Sequence, residues 1–521
     1  MQGQKDLQPK LMYQITLDDL VPKDNIYRRI NQLIDFRFLY KETESYYGQE
    51  GQESIDPVVF FKICMVGYLN NIISDRKLID YCANGLDVRL FLKYDLDEAL
   101  PWHSTISRTR QLYGEEVFLQ LFKRILSLCI DHGMVKGKRQ AIDSAPIKAN
   151  ASMDSLLEKE VIEDLDAYAE ELNEGSEFKV SASRKKWVEQ HHEWKKDKYK
   201  EMPGGRGKGG EDMHGNLVRP KFLSNHTHYS PTDPDARISV KPGKARQLNY
   251  AGQIAVDDAH HVIVSAMADF ADKKDSQALS KVLQQTAENL KQNDLKLGQI
   301  AADTGYSSGE ALKFIEENNI DAYIPNFGLY IPERPGFVFN AKLNQYECQR
   351  GHRAILRYKG EKTDSKGYAK KTYRSSESDC KHCPFREECC GKKTKFKKID
   401  DSIHRPYYDR MHLKMQTPYA KKMSKMRSRT VEPVLGTLIN FLGLKKVYTR
   451  GIIAANKHCL MSALCYNLKK LIRFERKIIQ PVAKSMKLIK YLPEYLINPL
   501  LIYYHLPYRL ICSKFHPAHF L

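Results

Sequence analysis

The feature of the sequence that most restricts its fold is the alternation of short apolar segments with amphipathic helices between residues 139 and 326. In chain order the predicted elements are a strand ending at Asp143, strands at 250–256 and 261–268, a helix at 276–293, a strand ending at Asp303, a helix at 308–318 and a strand at 321–326. The two consecutive strands around a short turn predict an antiparallel pair. An antiparallel pair beside alternating helices and strands predicts an α/β fold with a mixed sheet flanked by helices.

Changes in composition divide the 521 residues further. Helical periodicity runs through the first region, whereas the charged insertion ends in a glycine-rich stretch that is poorly suited to regular structure. The predicted regions are an all-α domain at 1–135, the first part of the α/β domain at 136–326 with a charged insertion at about 152–221, an irregular Cys-containing insertion at 327–403, a basic segment with a further helical part of the α/β domain at 404–475, and a tail at 476–521.

Two short segments of the helical region are candidates for DNA contact. The first, SDRKLIDYCANG, opens with Ser74 as a candidate N-cap; the second, PWHSTISRTRQLYG, has Ser104 as a candidate cap and carries Arg108 and Arg110. Two short helices around a turn, the second of them basic, are typical of a helix-turn-helix. An ordinary helical bundle with exposed arginines has the same pattern, and the sequence leaves both interpretations open.

Positive charge is concentrated in one segment. The chain has 83 Lys and Arg against 64 Asp and Glu, a net charge of +19, and residues 391–430 alone hold 9 Lys, 4 Arg and 3 Asp with aromatic residues between them. Such a segment suits a polyanion, because basic groups neutralise phosphates and rings stack on bases, but a solvated loop has the same composition. The candidate DNA-binding residues here are Lys397, Lys398, Arg427 and Arg429.

Membrane insertion and secretion are not expected. No stretch reaches the ~18 uninterrupted apolar residues that span a bilayer, and the first residues lack the apolar region of a secretory signal. Eleven cysteines, an odd number, favour reduced thiols over a disulfide framework. Six of them lie in apolar segments: Cys64, Cys82, Cys129, Cys459, Cys465 and Cys512.

The other five cysteines lie in the 327–403 insertion. Cys380 and Cys383 form a C-x-x-C pair, with Cys389 and Cys390 after it and Cys348 and His352 before it. Four soft ligands, Cys348, Cys380, Cys383 and Cys389, could hold a tetrahedral structural Zn²⁺ in a segment with little core of its own. Plain reduced thiols are the alternative, since the spacing matches no fixed zinc pattern.

Three acidic residues are candidate ligands for a hard metal ion. Asp143 and Asp303 end apolar strands, and Glu432 is predicted in the first turn of a helix beside Pro433, a position where a helix tolerates proline. If they converge, carboxylates without Cys or His partners favour Mg²⁺, and two such ions can drive in-line displacement at a phosphodiester. Each acid alone is weak evidence, because other acids of the same region compete for the role: Asp257, Asp258, Asp269, Asp272 and Asp275.

Several motifs in this order resemble the bacterial insertion-sequence DDE transposases. They are AIDSAPIKANAS, YSPTDPDARISVKPGKARQLNYAGQIAVD, ADFADKKDS, AADTGYSS, VEPVLGTLINFLGLKKVYTRG and CYNLKKL, behind an N-terminal helical region that is similar to the family's transposase domain. The resemblance covers nearly the whole chain. It implies a ribonuclease H-like catalytic domain in which Asp143, Asp303 and Glu432 match the family's catalytic acids.

The resemblance also implies an activity and its partners. A DDE transposase binds the double-stranded DNA ends of its mobile element, then cleaves and joins DNA strands with Mg²⁺ or Mn²⁺, acting on element ends and target DNA as a homo-oligomer. It would act in the bacterial cytoplasm, at the nucleoid. Some related transposases carry a Tyr, Arg, Glu, Lys signature, but the matching positions here hold Lys425, Ser428 and Ile439 around the glutamate, so a hairpin excision route is not predicted.

Two other functions are compatible with the same residues. A metal-dependent nuclease of this fold would hydrolyse DNA without joining it, and a non-catalytic DNA-binding protein would bind DNA without any metal-dependent reaction.

Overall fold

The computed structural model describes residues 14–48, 50, 54–158, 210–211, 217–218, 225, 228–239, 246–328, 330–350, 353–363 and 367–489. Most of the predicted charged insertion at 152–221 lies outside these ranges. His352, Cys512 and the part of the predicted tail beyond Ile489 also lie outside them. The described residues up to Asn467 form one compact unit.

Eight helices make up the described N-terminal region. They are α1 (Leu17–Leu20), α2 (Ile26–Leu33), α3 (Phe38–Thr43), α4 (Pro57–Leu69), α5 (Asp75–Asn84), α6 (Leu86–Leu92), α7 (His103–Leu112) and α8 (Glu115–Asp131). The predicted cap of α5 at Ser74 is confirmed, whereas Ser104 lies inside α7, which begins one residue earlier. Because α6 intervenes, the two segments interpreted as a helix-turn-helix are not consecutive helices, although α5 and α7 pack together.

Helix α4 is the centre of this region. Asp56 caps it by accepting hydrogen bonds from the Val58 and Val59 amides, and its residues are buried on nearly every side. Such an all-round apolar helix belongs in a core. Phe60 and Phe61 pack edge-on and face-on against Tyr113 of the loop after α7, with ring centroids 5.4 and 5.8 Å apart.

The predicted mixed sheet is present, and the α/β class is confirmed. Its strands are β1 (Arg139–Lys148), β6 (Arg237–Ser239), β7 (Gln247–Asp257), β8 (Ile263–Phe270), β9 (Gln299–Ala301) and β10 (Asp321–Tyr323). Four short strands form two separate pairs outside this sheet: β2 (Leu157–Glu158) with β5 (His228–Tyr229), and β3 (Gly210–Glu211) with β4 (Leu217–Val218). β1 is antiparallel to β7, which is antiparallel to β6 and β8, while β9 is parallel to β1 and β10 is parallel to β9.

Helices cover this first sheet. They are α9 (Asp275–Lys291), α10 (Gly309–Glu317), α13 (Arg405–Met415) and α14 (Pro418–Phe441). Apolar side chains of α9 and α10 form one core with β1, β7, β9 and β10, which includes Ile142, Leu279, Ile300 and Leu312. The predicted helices at 276–293 and 308–318 are thereby confirmed.

The sequence predicts that the 327–403 insertion is irregular with short strands, whereas the structure shows a regular second sheet there. Five antiparallel strands follow one another in space: β11 (Phe337–Asn340), β12 (Gln345–Cys348), β13 (Ile355–Thr363), β14 (Ala369–Arg374) and β15 (Lys398–Ser402). Two short helices, α11 (Glu377–Lys381) and α12 (Arg386–Cys390), lie between β14 and β15. Only four side chains form its described core, namely Tyr346, Leu356, Tyr373 and Ile399. Strands with polar residues on both sides lack the apolar alternation by which a strand is predicted.

Helix α15 (Ile452–Ile489) begins in the compact unit and continues into a second one, Leu468–Leu521, of which the structure describes the helix as far as Ile489. The Lys457 ammonium of α15 donates to the carbonyls of Arg110 and Tyr113 near the end of α7. The Asn467 side chain bonds the Ile263 backbone of β8. α15 therefore contacts both the N-terminal helices and the first sheet.

The predicted reduced core thiols are confirmed for the described residues. Cys64, Cys82, Cys129, Cys459 and Cys465 are buried, and none of them forms a disulfide bond. None of the helices in the described ranges has both the length and the apolar character needed to cross a bilayer.

Candidate active site

Asp143 lies in the middle of the first sheet. The predicted end of the strand at this residue is wrong, since β1 continues to Lys148 and pairs with β7 throughout. One carboxylate oxygen accepts from the Ser144 amide at 2.8 Å and the other from the Arg427 guanidinium at 2.7 Å. Burial raises the pKa of Asp143, the Ser144 amide and Arg427 lower it, and nearby Asp303 raises it again.

Asp303 lies beside Asp143 because of strand register. Ala141 of β1 pairs in parallel with Ala301 of β9, and each acid follows two residues later. Asp303 caps a 3₁₀ turn, Thr304–Tyr306, by accepting from the Gly305 amide at 2.9 Å. The structure thus brings together the first two predicted acids at neighbouring positions of one sheet.

Glu432 lies on α14, but not where the sequence predicts. The helix begins at Pro418 under a Thr417 cap, so Glu432 and Pro433 are in its interior and not in its first turn. An interior proline supplies no backbone N–H and leaves a carbonyl of the preceding turn without its usual partner. The part of the basic segment from Pro418 to Thr430, for which a solvated loop was the alternative interpretation, is therefore the first half of the same helix, which packs against β1, β7 and β9.

Arg427 connects the acids of the two elements. Its guanidinium contacts Asp143 at 2.7 Å and Glu432 at 3.4 Å, with side-chain exposures of 16% for Arg427, 17% for Asp143 and 59% for Glu432. Within the described residues no group of three Asp, Glu, His or Cys side chains is arranged closely enough to hold a metal ion. In this structure Asp143 and Glu432 therefore share the positive charge of the Arg427 guanidinium.

Three further residues belong to this site and were not predicted as site residues: Asp275, Gln253 and Tyr306. The Gln253 amide donates to Asp275 at 2.8 Å, and the Tyr306 hydroxyl donates to the Gln253 carbonyl oxygen. Burial raises the pKa of Tyr306 well above its ordinary value, and the charges of Asp275, Asp143 and Asp303 raise it further. Tyr306 is therefore a neutral hydrogen-bond donor among three carboxylates.

Asp275 and Asp303 both lie beside Gly305. A Cβ at this position would lie 3.1 Å from an Asp303 oxygen and 3.3 Å from an Asp275 oxygen. The sequence signal for Asp275 was its place at the start of α9 in ADKKDS, but several other acids shared that neighbourhood.

The competing acids have structural partners. Asp257 is buried and accepts from the Gly137 amide and the Gln140 side chain. The other three form ion pairs: Asp258 with Arg139 at 2.6 Å, Asp269 with Lys273 at 2.8 Å and Asp272 with Arg237 at 3.4 Å. These contacts stabilise turns and strand ends.

The predicted DNA-binding residues differ in their surroundings. Arg108 on α7 and Arg429 on α14 are exposed. Arg110 forms two hydrogen bonds to Asp75, at 2.8 and 2.9 Å, and points into the helical region. Lys397 donates to the Cys389 carbonyl and Lys398 pairs with Asp400 at 2.7 Å. Arg108 and Arg429 are thus the members of the set best placed for solution contacts.

The cysteines of the insertion share one cavity. Cys348, Cys380, Cys383, Cys389 and Cys390 all line a space of about 290 Å³ between the end of β12 and helices α11 and α12. All five are free thiols. Burial and the neighbouring Cys389 and Cys380 raise the pKa of Cys390 to about 11.

Two parts of the chain match known protein families. Residues 15–112 match the family described as transposase domain (DUF772), and residues 347–472 match the family described as transposase DDE domain. The first match contains Arg108 and Arg110 and the second contains Glu432 and the cysteines, while Asp143 and Asp303 lie outside both. No curated protein matches the chain.

Proposed function

The chain belongs to the insertion-sequence DDE transposases, as its two transposase domains show, and from this premise we propose that it cleaves and joins DNA strands at the ends of its mobile element. Asp143, Asp303 and Glu432 are the proposed catalytic acids. The observation that carries the proposal is the adjacency of Asp143 and Asp303, which follows from the parallel register of β1 and β9.

A ribonuclease H-like fold is part of this proposal. The sheet order β10–β9–β1–β7–β8, with β7 antiparallel and β9 and β10 parallel to β1, supports it, as does the placement of the acids on β1, after β9 and on α14. The 303–432 interval contains the second sheet as an insertion.

The donor atoms suit a hard divalent cation. Carboxylate oxygens of Asp143, Asp303 and Glu432 would hold Mg²⁺ or Mn²⁺, and Asp275 lies beside Gly305 as a further nearby carboxylate. Because Asp143 is mostly buried, its charged form requires a nearby positive charge, and Arg427 supplies that charge in this structure. When bound, two such ions activate the attacking oxygen and stabilise the leaving oxygen at a phosphodiester.

The protein's own groups would hold the metal ligands in place. The Gly305 amide fixes one Asp303 oxygen and the Ser144 amide fixes one Asp143 oxygen. Tyr306 and Gln253 hold Asp275 through a chain of hydrogen bonds in the sheet. These bonds fix Asp143 and Asp303, so Arg427 and Glu432 are the groups that would have to move when a metal binds.

DNA binding is proposed for the exposed basic side chains of α7 and α14, Arg108 and Arg429 first. Lys397, Lys398 and Arg427 are proposed as secondary DNA contacts, because each would have to break a contact within the protein before it could bind a phosphate. A homo-oligomer that bridges two element ends, in the bacterial cytoplasm at the nucleoid, completes the proposal.

The decisive experiment uses a labelled duplex from the DNA that flanks the coding region. We expect the full chain with Mg²⁺ or Mn²⁺ to nick this duplex and to join the new 3′ end to a second DNA, and EDTA to stop both reactions. Cleavage without joining would favour a nuclease of the same fold. Binding without any metal-dependent product would favour a non-catalytic DNA-binding protein.

A structural Zn²⁺ in the insertion is a separate part of the proposal. Cys348, Cys380, Cys383 and Cys389 line one cavity, and the sheet beside it has a described core of four side chains. A small core seldom stabilises such a segment alone, so a metal that ties β12 to α11 and α12 has a clear physical role. The thiols would have to turn toward one another, because no three of them are within ligand distance among the described residues.

Metal analysis tests the zinc site. We expect about one Zn²⁺ per purified chain, lost in a Cys380→Ser, Cys383→Ser variant, which should also be cleaved faster by protease within the insertion. The matched control is Cys64→Ser, Cys82→Ser in the helical core, which removes two buried thiols outside the cavity. Zinc-free parent protein, or a parent and variant with equal zinc content, would contradict the site.

A further inference from the structure

A row of three cations crosses the open face of the second sheet. Arg357 of β13 lies directly opposite Arg374 of β14, which in turn lies directly opposite Lys398 of β15. Directly opposed residues have Cβ atoms about 5 Å apart, where like charges destabilise a sheet. Nothing in sheet formation requires this arrangement.

Strand alternation separates the cation row from the core. The neighbouring residues Leu356, Tyr373 and Ile399 form the small core on the other face. The side chains of the cation row instead line an open groove of about 950 Å³ together with Arg353, Lys359 and Lys362. Six basic and two acidic side chains line the groove, a net charge of +4.

Protein partners compensate only part of this charge. Arg374 contacts Glu377 at 3.2 Å, and Lys398 contacts Asp400 at 2.7 Å, both with side chains that are 36% to 54% exposed. Exposed pairs of this kind contribute little. Arg353, Arg357, Lys359 and Lys362 are exposed and have no ion-pair partner among the described residues.

One member of the row is held in a fixed orientation. The Arg374 guanidinium lies over the Phe396 ring, 3.5 Å from its centroid. Stacking on a ring leaves the edge of the planar group free, and that edge matches phosphate oxygens in geometry. Neither residue was among the predicted DNA contacts.

We propose that this groove binds the phosphate backbone of duplex DNA. The inference rests on the proposed function, which makes DNA the substrate, and it adds a second binding surface on the insertion between Asp303 and Glu432. Cations spread over three strands suit a DNA backbone, because its phosphates are regularly spaced. A single small anion would leave most of these cations without a partner.

The test is the salt dependence of binding to a duplex of about 30 base pairs, measured by fluorescence anisotropy. We expect the triple variant Arg357→Gln, Arg374→Gln, Lys398→Gln of the full chain to lose about 0.9 from the slope of log K against log salt for each phosphate contact removed, about 2.7 in all. A charge-retaining variant, Arg357→Lys, Arg374→Lys, should keep most of the slope. The glutamine variant should melt at or above the parent's temperature, because it removes opposed charges. The lysine variant should melt at or slightly below it, because it keeps those charges and loses the stacking of Arg374 on Phe396.

The control removes three exposed lysines elsewhere: Lys281→Gln, Lys291→Gln, Lys296→Gln on α9 and the loop after it. We expect its slope to stay near that of the parent. If the triple variant and the parent have equal slopes while the parent binds and cleaves DNA, the groove inference is overturned and the proposed function stands. A parent that binds no duplex DNA would overturn both.

Discussion

We expect Asp143→Asn and Asp303→Asn each to reduce metal-dependent strand cleavage by at least about 100-fold. Loss of an outer partner of a metal ligand already costs about 10- to 100-fold, so loss of a ligand itself should cost at least as much. Both substitutions keep the shape of the side chain, and an amide oxygen still accepts from the Ser144 or Gly305 amide. The free energy of unfolding should change by less than about 1 kcal/mol for Asp303→Asn. For Asp143→Asn it should fall by up to about 2 kcal/mol, because the amide NH2 of the asparagine cannot accept from Arg427.

The matched control for these variants is Asp294→Asn. Asp294 is exposed, follows α9 and has a φ of 57°, a conformation that asparagine adopts readily. Cleavage by this variant should equal that of the parent. If Asp143→Asn or Asp303→Asn cleaves as fast as the control, that acid is not a catalytic ligand.

Arg427→Gln is expected to lower stability without metal and to strengthen metal binding. Its guanidinium offsets the half-buried charge of Asp143, so removing it should cost about 2 kcal/mol in the free energy of unfolding at neutral pH. The same change leaves Asp143 and Glu432 without their shared cation. We expect the Mn²⁺ concentration for half-maximal thermal stabilisation to fall at least about tenfold, or about 1.4 kcal/mol.

Arg429→Gln is the control for this prediction, because it removes the same charge from the same helix two residues on, at an exposed position. Its stability and its Mn²⁺ response should match the parent. Equal Mn²⁺ responses from Arg427→Gln and Arg429→Gln would show that Arg427 does not compete with the metal. The assignment of the catalytic acids would then depend only on the cleavage assay of Asp143→Asn and Asp303→Asn.

The adjacency of Asp143 and Asp303 was predictable because it depends on strand order. Both acids follow apolar segments whose alternation with helices indicates neighbouring strands, and an error in where β1 ends does not change the register. Glu432 was predicted on the correct helix but at the wrong position in it. The periodicity was read from Val431 onward, while the preceding turns carry lysines and arginines that are equally consistent with a loop.

Tertiary contacts account for what the sequence could not predict. Arg427 was assigned to DNA because a free arginine in a basic run suits phosphate, and only the packing of α14 on β1 shows that it reaches Asp143. Asp275 joins the site through Gln253 and Tyr306, which come from two other elements. The regular second sheet was not predicted, because its strands are charged and half exposed and therefore lack apolar periodicity.

Helix α15 makes one further consequence clear. It donates to carbonyls near the end of α7 and bonds the backbone of β8, so the N-terminal helices and the first sheet share a structural support that follows all three proposed catalytic acids in the chain. A protein shortened before Ile452 would lack that support although it kept Arg108, Asp143, Asp303 and Glu432. We therefore expect such truncated gene products to remain unfolded, instead of persisting as DNA-binding fragments that compete with the intact protein.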